Sequence, residues 1–113
     1  MKDHEKIMIC KIAAYAEQAI QFKDGMSFEE FTNDAKTVAA CSLNLSQIGE
    51  LTGRLDDDFI DTYDSIPWRK MKGMRNRIVH DYEGLLNNIV WDVLENFLPD
   101  LVHDIDKLLE NDE

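Results

Sequence analysis

The stretch DHEKIMICKIAAYAEQAIQFK, residues 3–23, decides the fold class of this sequence. Its apolar side chains recur every three or four residues and would line one face of a helix; they are Ile9, Ile12, Ala13, Ala16 and Ile20. Asp24 and Gly25 end the pattern. The stretch therefore predicts a long amphipathic helix.

A second helix is predicted from its start signal. Ser27 is followed three residues later by Glu30, which is the spacing of a capping box. Apolar and small residues then repeat at helical spacing to about residue 51, and Gly53 is a plausible stop. The chain between residues 54 and 66 is polar and acidic, and it reads as a connector with a short helix near residues 59–63.

The second half of the sequence predicts two more helices. One begins at Pro67, a residue suited to the first helical turn, and continues to about His80. The other covers residues 86–109, with a kink or a break expected at Pro99 because proline cannot donate its backbone hydrogen bond. The predicted fold is all-α, an antiparallel bundle of four to five helices.

Composition supports one domain of this kind. The chain has 113 residues, which suits a single domain over residues 1–113, and its 5 glycines and 2 prolines are too few for a domain rich in turns. Two cysteines, no signal peptide and no apolar run long enough to span a membrane predict a cytoplasmic protein without membrane association.

Charge is unevenly distributed along the chain. It has 12 basic and 23 acidic residues, and this balance argues against non-specific binding of nucleic acid because phosphate repels an acidic surface. Residues 68–77, which we call the basic island, contain no acid and five cations: Arg69, Lys70, Lys72, Arg75 and Arg77. Two interpretations stay open. The island is a surface paired with carboxylates such as Asp56, Asp57, Asp58 and Asp61, or it is a local anion site.

The end of the basic island gathers side chains that could cleave a phosphodiester without a metal. In that interpretation His80 moves a proton at the ribose 2′-hydroxyl or at the leaving oxygen, and Arg75 stabilises charge on the phosphoryl oxygens. The alternative is structural, with His80 capping a helix C-terminus and Arg75 paired with an acid. No metal site is predicted, because the histidines and cysteines lack ligand spacing.

Helix geometry links this chemistry to dimerisation. Arg75 and His80 are five residues apart, so on a regular helix they diverge by about 140°. For both to reach one phosphate, the helix must end near His80, or a second chain must supply part of the site. A symmetric dimer with this segment at its two-fold axis would meet the second condition.

Residues 66–82, IPWRKMKGMRNRIVHDY, resemble the signature of HepT-like proteins of the HEPN superfamily. The family pattern is Arg, four residues, His, any residue and Tyr, with a polar residue after the Arg. Arg75, Asn76, His80 and Tyr82 match it. The resemblance extends over most of the chain, from the first helix pair through the acidic connector to a final helix that opens near Val90.

The resemblance implies the toxin of a prokaryotic toxin–antitoxin pair. It would be a homodimeric, metal-independent endoribonuclease that needs no cofactor and acts on tRNA or mRNA. Arg75 and His80 would be catalytic, Asn76 would support them, and the remaining cations of the basic island (Arg69, Lys70, Lys72 and Arg77) are candidates for RNA binding. The antitoxin would be a minimal nucleotidyltransferase that transfers AMP to Tyr82.

Two alternatives to these assignments stay open. The chain could instead be a catalytically weak helical dimer that serves as a binding partner of the nucleotidyltransferase. Its acidity outside the basic island favours this reading, because an acidic surface is a poor general binder of RNA. Tyr82 could likewise be a packed aromatic residue with a satisfied hydroxyl group.

Overall fold

The computed structural model describes residues 1–80 and 85–112, and it describes only the backbone of residues 79, 80, 85 and 86. Across the described residues the chain is helical and contains no strand. In chain order the elements are α1 (Asp3–Lys23), α2 (Phe28–Thr32), α3 (Ala35–Gly53), α4 (Asp57–Thr62), α5 (Trp68–His80), α6 (Leu85–Asp92), a π-helical segment (Val93–Phe97) and α7 (Leu98–Asn111). The predicted all-α class is confirmed.

Helix α1 lies antiparallel to α3, and polar contacts along the pair show the direction. The Cys41 thiol donates to the carbonyl of Ala19 at 3.5 Å. One turn further along α3, the Asn44 side-chain amide donates to the carbonyl of Tyr15 at 3.2 Å and to Gln18 Oε1 at 2.9 Å. The residue numbers of the contacting positions therefore fall along α1 as they rise along α3.

The contact of α1 with α3 is close because small residues line it. Ala13, Ala16 and Ala19 are all buried, and they repeat every three residues along α1. Ile9 and Ile12 extend the same buried side toward the N-terminus of the helix. The predicted apolar stripe of residues 3–23 is thus the face that packs into the core, and α1 has the predicted bounds.

The predicted second helix is in fact two helices. The expected capping box is present, with the Glu30 amide donating to Ser27 Oγ at 3.1 Å, but α2 ends at Thr32. Asp34 then starts α3 as a new N-cap, because its carboxylate accepts the amide hydrogen bond of Thr37 at 3.2 Å. A short polar side chain that bonds nearby backbone competes with helix continuation, and this is the local reason for the break.

Helix α5 is anchored by its first residue. Trp68 is buried, its indole N–H donates to the carbonyl of Tyr63 at 2.9 Å, and its ring centroid lies 5.6 Å from that of Phe59 in α4. Met71 and Met74 continue the buried side of α5 into the core. The chain's acidic connector therefore holds the start of the basic island in place.

The predicted irregularity at Pro99 takes the form of a π-helical segment. The Leu98 amide donates to the carbonyl of Val93, five residues back, instead of four. Pro99 has no N–H to offer the carbonyl of Glu95, so the regular α-helical pattern cannot pass through this turn unchanged. The segment connects α6 to α7 and keeps both in one long helical stretch.

The long helix ending in α7 packs back along α1. The N-terminal ammonium of Met1 lies 3.2 Å from Asp112, and Lys6 lies 2.9 Å from the same carboxylate. At the other end of α1, Lys23 pairs with Glu95. Four long helical stretches (α1, α3, α5 and α6 with α7) form the predicted bundle, and α2 and α4 are short additions.

None of the described helices combines the length and the apolar composition that a membrane crossing requires. The single-domain assignment and the cytoplasmic location stay predictions.

Candidate functional site

The basic island lies on α5, and the helix divides it into a buried and an exposed side. Trp68, Met71, Met74 and Ile78 are buried. The intervening positions carry the charge: Arg69, Lys70, Arg75 and Arg77 are exposed, and Lys72 is half-buried. The neutral Asn76 is exposed as well. The spacing of the apolar residues therefore presents the cations outward.

Arg75 sits at a point where α5 and α3 are in close contact. A Cβ atom added to Gly49 of α3 would lie 3.0 Å from Arg75 Cβ, 3.0 Å from the Met71 carbonyl oxygen and 3.3 Å from the Arg75 amide nitrogen. Only glycine fits at this point without moving the two backbones apart. The backbone of Arg75 is therefore held directly against α3.

The Arg75 guanidinium is ion-paired with the residue next to Gly49. Its Nε lies 3.1 Å from Glu50 Oε2, and the two side chains are 50% and 46% exposed. A pair that open to water contributes little to stability. It does leave a cationic group accessible to an anionic ligand, which is the property a catalytic arginine needs.

A groove of about 330 Å³ runs between α3 and α5 at this point. It is lined by Gly49, Glu50, Gly53, Arg54, Lys72, Arg75 and Asn76. Three of these seven residues are cations and one is an acid, in a chain whose formal charge is −11. The groove therefore concentrates positive charge. At Gly53 an added Cβ would meet nothing within 4 Å, so a ligand has room to approach the helix backbone there.

Among the predicted site residues, the structure brings Arg75 and Asn76 together with Lys72 in this groove. The backbone of His80 is part of α5, so positions 75 and 80 lie on one helix and are about 140° apart around its axis. The His80 side chain and all of Tyr82 lie outside what the structure describes. Asn76 and position 80 are four apart and share a helix face.

The two interpretations of the basic island each find some support. Arg69 lies 3.5 Å from Asp61, one of the carboxylates expected to pair with the island. Within the described part of the chain, no cation of the island pairs with Asp56, Asp57 or Asp58. The acid that pairs with Arg75 is Glu50, on a different helix from those proposed from sequence proximity.

Outside the groove, one group of described residues has the composition of metal ligands. His4, Glu5 and Asp56 place ligand atoms within 4.8 Å of one another. Glu5 already accepts a hydrogen bond from the Lys2 amide at 2.9 Å as part of the α1 cap. None of the three lines the groove that contains Arg75.

Sequence reasoning missed four residues of the groove: Gly49, Glu50, Gly53 and Arg54. All four lie at the end of α3 or directly after it, far from the motif in sequence, and no single-sequence pattern pairs them with Arg75. The only available signal was the helical spacing of Gly49 and Gly53, which predicts a strip without side chains on α3. Such a strip lets another part of the chain approach α3 closely, but it does not identify which part.

Comparison with known proteins identifies a family and relatives that this chain matches. The model of the family described as "Ribonuclease HepT-like" matches residues 12–108. "Probable ribonuclease HepT" of Thermococcus cleftensis is 35% identical over 85 residues, which cover 75% of this chain and 77% of that protein.

A second relative is "Putative RNase MJ0127" of Methanocaldococcus jannaschii. It is 39% identical over 66 residues, which cover 58% of this chain and 54% of the relative, so the match spans about half of that protein's length. No solved structure gives a significant match to this chain.

The matched region contains α3, α5 and every residue that lines the groove. The resemblance first seen in residues 66–82 is therefore confirmed over most of the chain. This chain belongs to the ribonuclease HepT-like family.

Proposed function

We propose that this chain is a metal-independent endoribonuclease, in which Arg75 and His80 act on one phosphodiester of an RNA substrate. The observation that carries the proposal is the half-exposed Arg75 guanidinium in a cation-rich groove of an otherwise acidic chain. Family membership and the ribonuclease names of the relatives support it.

The reaction needs one proton acceptor and one anion-stabilising group. His80 takes the proton of the ribose 2′-hydroxyl, and the 2′-oxygen attacks phosphorus. The bond from phosphorus to the 5′-oxygen breaks, and that oxygen leaves with a proton supplied by an imidazolium or by water. Arg75 stabilises the negative charge that builds on the phosphoryl oxygens. The products are a 2′,3′-cyclic phosphate and a 5′-hydroxyl.

The active unit in this proposal is a homodimer. Positions 75 and 80 diverge by about 140° on α5, so one helix does not direct both side chains at the same atom. A two-fold axis near the end of α5 would place His80 of one chain beside Arg75 of the other. Asn76 shares a face with position 80 and would hold the imidazole or the substrate by hydrogen bonds.

The first experiment tests the chemistry. Purified protein should cleave RNA in EDTA, and Arg75→Ala and His80→Ala should each lower the rate about 100-fold or more, the usual cost of losing a proton-transfer or charge-stabilising group. Glu17→Ala, an exposed change on α1 outside the groove, is the control and should leave the rate unchanged. Cleavage that persists in His80→Ala would remove His80 from the mechanism.

A second experiment tests the shared site. Inactive Arg75→Ala and inactive His80→Ala chains, mixed so that subunits exchange, should regain about a quarter of wild-type activity. Half of the dimers are then mixed, and each mixed dimer has one site with both residues intact. No recovery, with subunit exchange verified by mass spectrometry, would show that the two residues do not act across an interface.

The biological role we propose is that of the toxin in a toxin–antitoxin pair, neutralised by a nucleotidyltransferase. The partner would transfer AMP from ATP to the Tyr82 hydroxyl, forming a phosphorus–oxygen bond and releasing pyrophosphate. A nucleotide phosphate two residues from His80 would compete with RNA for Arg75. Intact mass should rise by one or more AMP units with the partner and ATP, and a gain retained in Tyr82→Phe would refute this acceptor.

The second candidate function is that of a binding module without useful nuclease activity. It is favoured by the formal charge of −11, since an acidic surface weakens general RNA binding. In that case the protein should form a stable complex with the nucleotidyltransferase and cleave none of a set of cellular tRNAs and mRNAs. Cleavage of any of them that depends on Arg75 would exclude it.

A further inference from the structure

We infer that Glu50 is a positioning residue, which aims the Arg75 guanidinium at the substrate phosphate. The inference rests on the proposed function, because it concerns how the arginine of that site is held. It extends that function to a residue on α3, outside the Arg–His motif of α5.

The first support for the inference is where the backbone of Arg75 lies. At Gly49 the two helices approach so closely that an added Cβ would lie 3.0 Å from Arg75 Cβ. Glu50 is the next residue of α3, so its side chain starts from a point fixed relative to Arg75. The ion pair therefore joins two groups whose backbones are already held together.

The second support is which part of the guanidinium the carboxylate meets. Glu50 Oε2 lies 3.1 Å from Nε, the nitrogen nearest the aliphatic stem. The terminal amino groups are the pair that can hold two phosphate oxygens at once. A carboxylate placed beside Nε meets the planar group at its inner edge and can turn it toward the phosphate.

The third support is the cost of placing an acid in this groove. Glu50 is the one acid among seven lining residues, and its charge repels the phosphate that Lys72 and Arg54 would attract. An exposed pair returns little stability for that repulsion. Orientation of Arg75 is a benefit that offsets it, because misplacing a catalytic group by about 1 Å can cost on the order of 100-fold in rate.

The kinetic test compares Glu50→Ala with Glu50→Gln. Glu50→Ala should lower kcat by about 10- to 100-fold, while KM stays the same or falls because a repulsive charge is gone. Glu50→Gln keeps an oxygen at the same place beside Nε, and it should retain kcat within about threefold of wild type. Glu17→Ala is again the matched control for loss of a surface glutamate.

A spectroscopic arm keeps the inference testable if no RNA is cleaved. In protein labelled with ¹⁵N at arginine, the Nε–Hε signal of Arg75 is identified by its loss in Arg75→Lys. It should move on Glu50→Ala and stay near its wild-type position in Glu50→Gln, with the other arginine signals unchanged. An Arg75 signal that ignores both changes would overturn the inference.

The outcomes separate the inference from the proposed function. If Arg75→Ala is inactive and Glu50→Ala cleaves as well as wild type, the function stands and the positioning role falls. If Glu50→Ala cleaves faster, Glu50 competes with RNA for Arg75, and positioning is again wrong. If Arg75→Ala cleaves like wild type, the proposed function fails, and the Nε–Hε signal alone decides whether Glu50 orients this side chain.

Discussion

Helix α3 packs mainly against α1 and α5, and these two contacts differ in kind. Toward α1, it buries alanines and satisfies its polar groups inside the protein, with Cys41 and Asn44 bonded to backbone carbonyls of α1. Toward α5, it meets a backbone at Gly49 and then opens into a groove whose charged side chains stay in contact with water. One side closes the core, and the other holds a reactive surface.

The difference shows that the contacts that stabilise the core and the groups proposed for catalysis lie on separate sides of α3. Buried polar groups at the α1 contact have partners, because an unsatisfied group there would cost free energy. The Arg75–Glu50 pair does not face this free-energy cost, since both side chains are about half exposed to water. Changes on the α1 side should therefore alter unfolding, and changes on the α5 side should alter activity.

The largest expected effect is on the free energy of unfolding. Leu45→Ala removes a fully buried side chain of α3 that does not line the groove, and it should destabilise the protein by about 2–5 kcal/mol. Leu43→Ala, at a position 61% exposed on the same helix, should change stability by less than about 0.5 kcal/mol. Urea titration measures both, and equal losses would contradict the assignment of sides.

A smaller loss is expected at Gly49, where the α5 side of α3 is itself packed against a backbone. Gly49→Ala puts a methyl group 3.0 Å from a backbone carbonyl and from Arg75 Cβ, and it should cost roughly 1–3 kcal/mol in unfolding free energy by forcing the helices apart. Gly73→Ala meets nothing within 4 Å and should stabilise α5 by about 0.5–1 kcal/mol. Unfolding free energies that change in the same direction in both variants would contradict this comparison of Gly49 with Gly73.

The two cysteines should differ in reactivity and in pH dependence. Burial raises the pKa of the Cys41 thiol to about 11 from an ordinary value of 9.0, whereas Cys10 is exposed. A thiol reagent at pH 8 should therefore modify one cysteine in the native protein and two after unfolding.

The sign of the stability change follows from the same pKa. Between about pH 9 and pH 11 the unfolded chain loses the Cys41 proton while the folded chain keeps it, so stability falls as the pH rises. Cys41→Ala should flatten that slope in urea titrations repeated across the range. A slope that does not change would show that Cys41 is not the group responsible.

Only a small change in stability is expected at the reactive surface. Arg75→Ala removes an ion pair whose partners are both about half exposed, so its unfolding free energy should change by less than about 1 kcal/mol. The same variant should lose RNA cleavage under the proposed function. A large loss of stability in Arg75→Ala would mean that the two sides of α3 are not independent.

Much of the fold could be predicted from local patterns. The stripe from Ile9 to Ala16 and the stop at Asp24 gave α1 its bounds, and Pro99 correctly marked an irregular turn. The division between α2 and α3 was missed, because Asp34 interrupts the helix through a side-chain cap while the apolar spacing runs on undisturbed. A cap of this kind competes locally with a pattern that reports only on burial.

The residues of the candidate site were also only partly predictable from the sequence. Arg75 and Asn76 came from a motif within one helix, and the structure places both in the groove. Glu50 and Arg54 could not be paired with them from spacing, because Glu50 belongs to α3 and Arg54 directly follows it, whereas Arg75 and Asn76 belong to α5. Contacts between helices depend on where and at what angle the helices cross, and a single sequence does not reveal this geometry.

By itself, the sequence determined the helical class, the cationic segment and the family to which its motif belongs, because periodicity and motif spacing are properties of consecutive residues. Only the tertiary structure decided which acid meets Arg75 and where the groove opens. The physical reason is Gly49: a residue without a side chain lets two helices touch, and that contact places Glu50 beside a guanidinium 25 positions away.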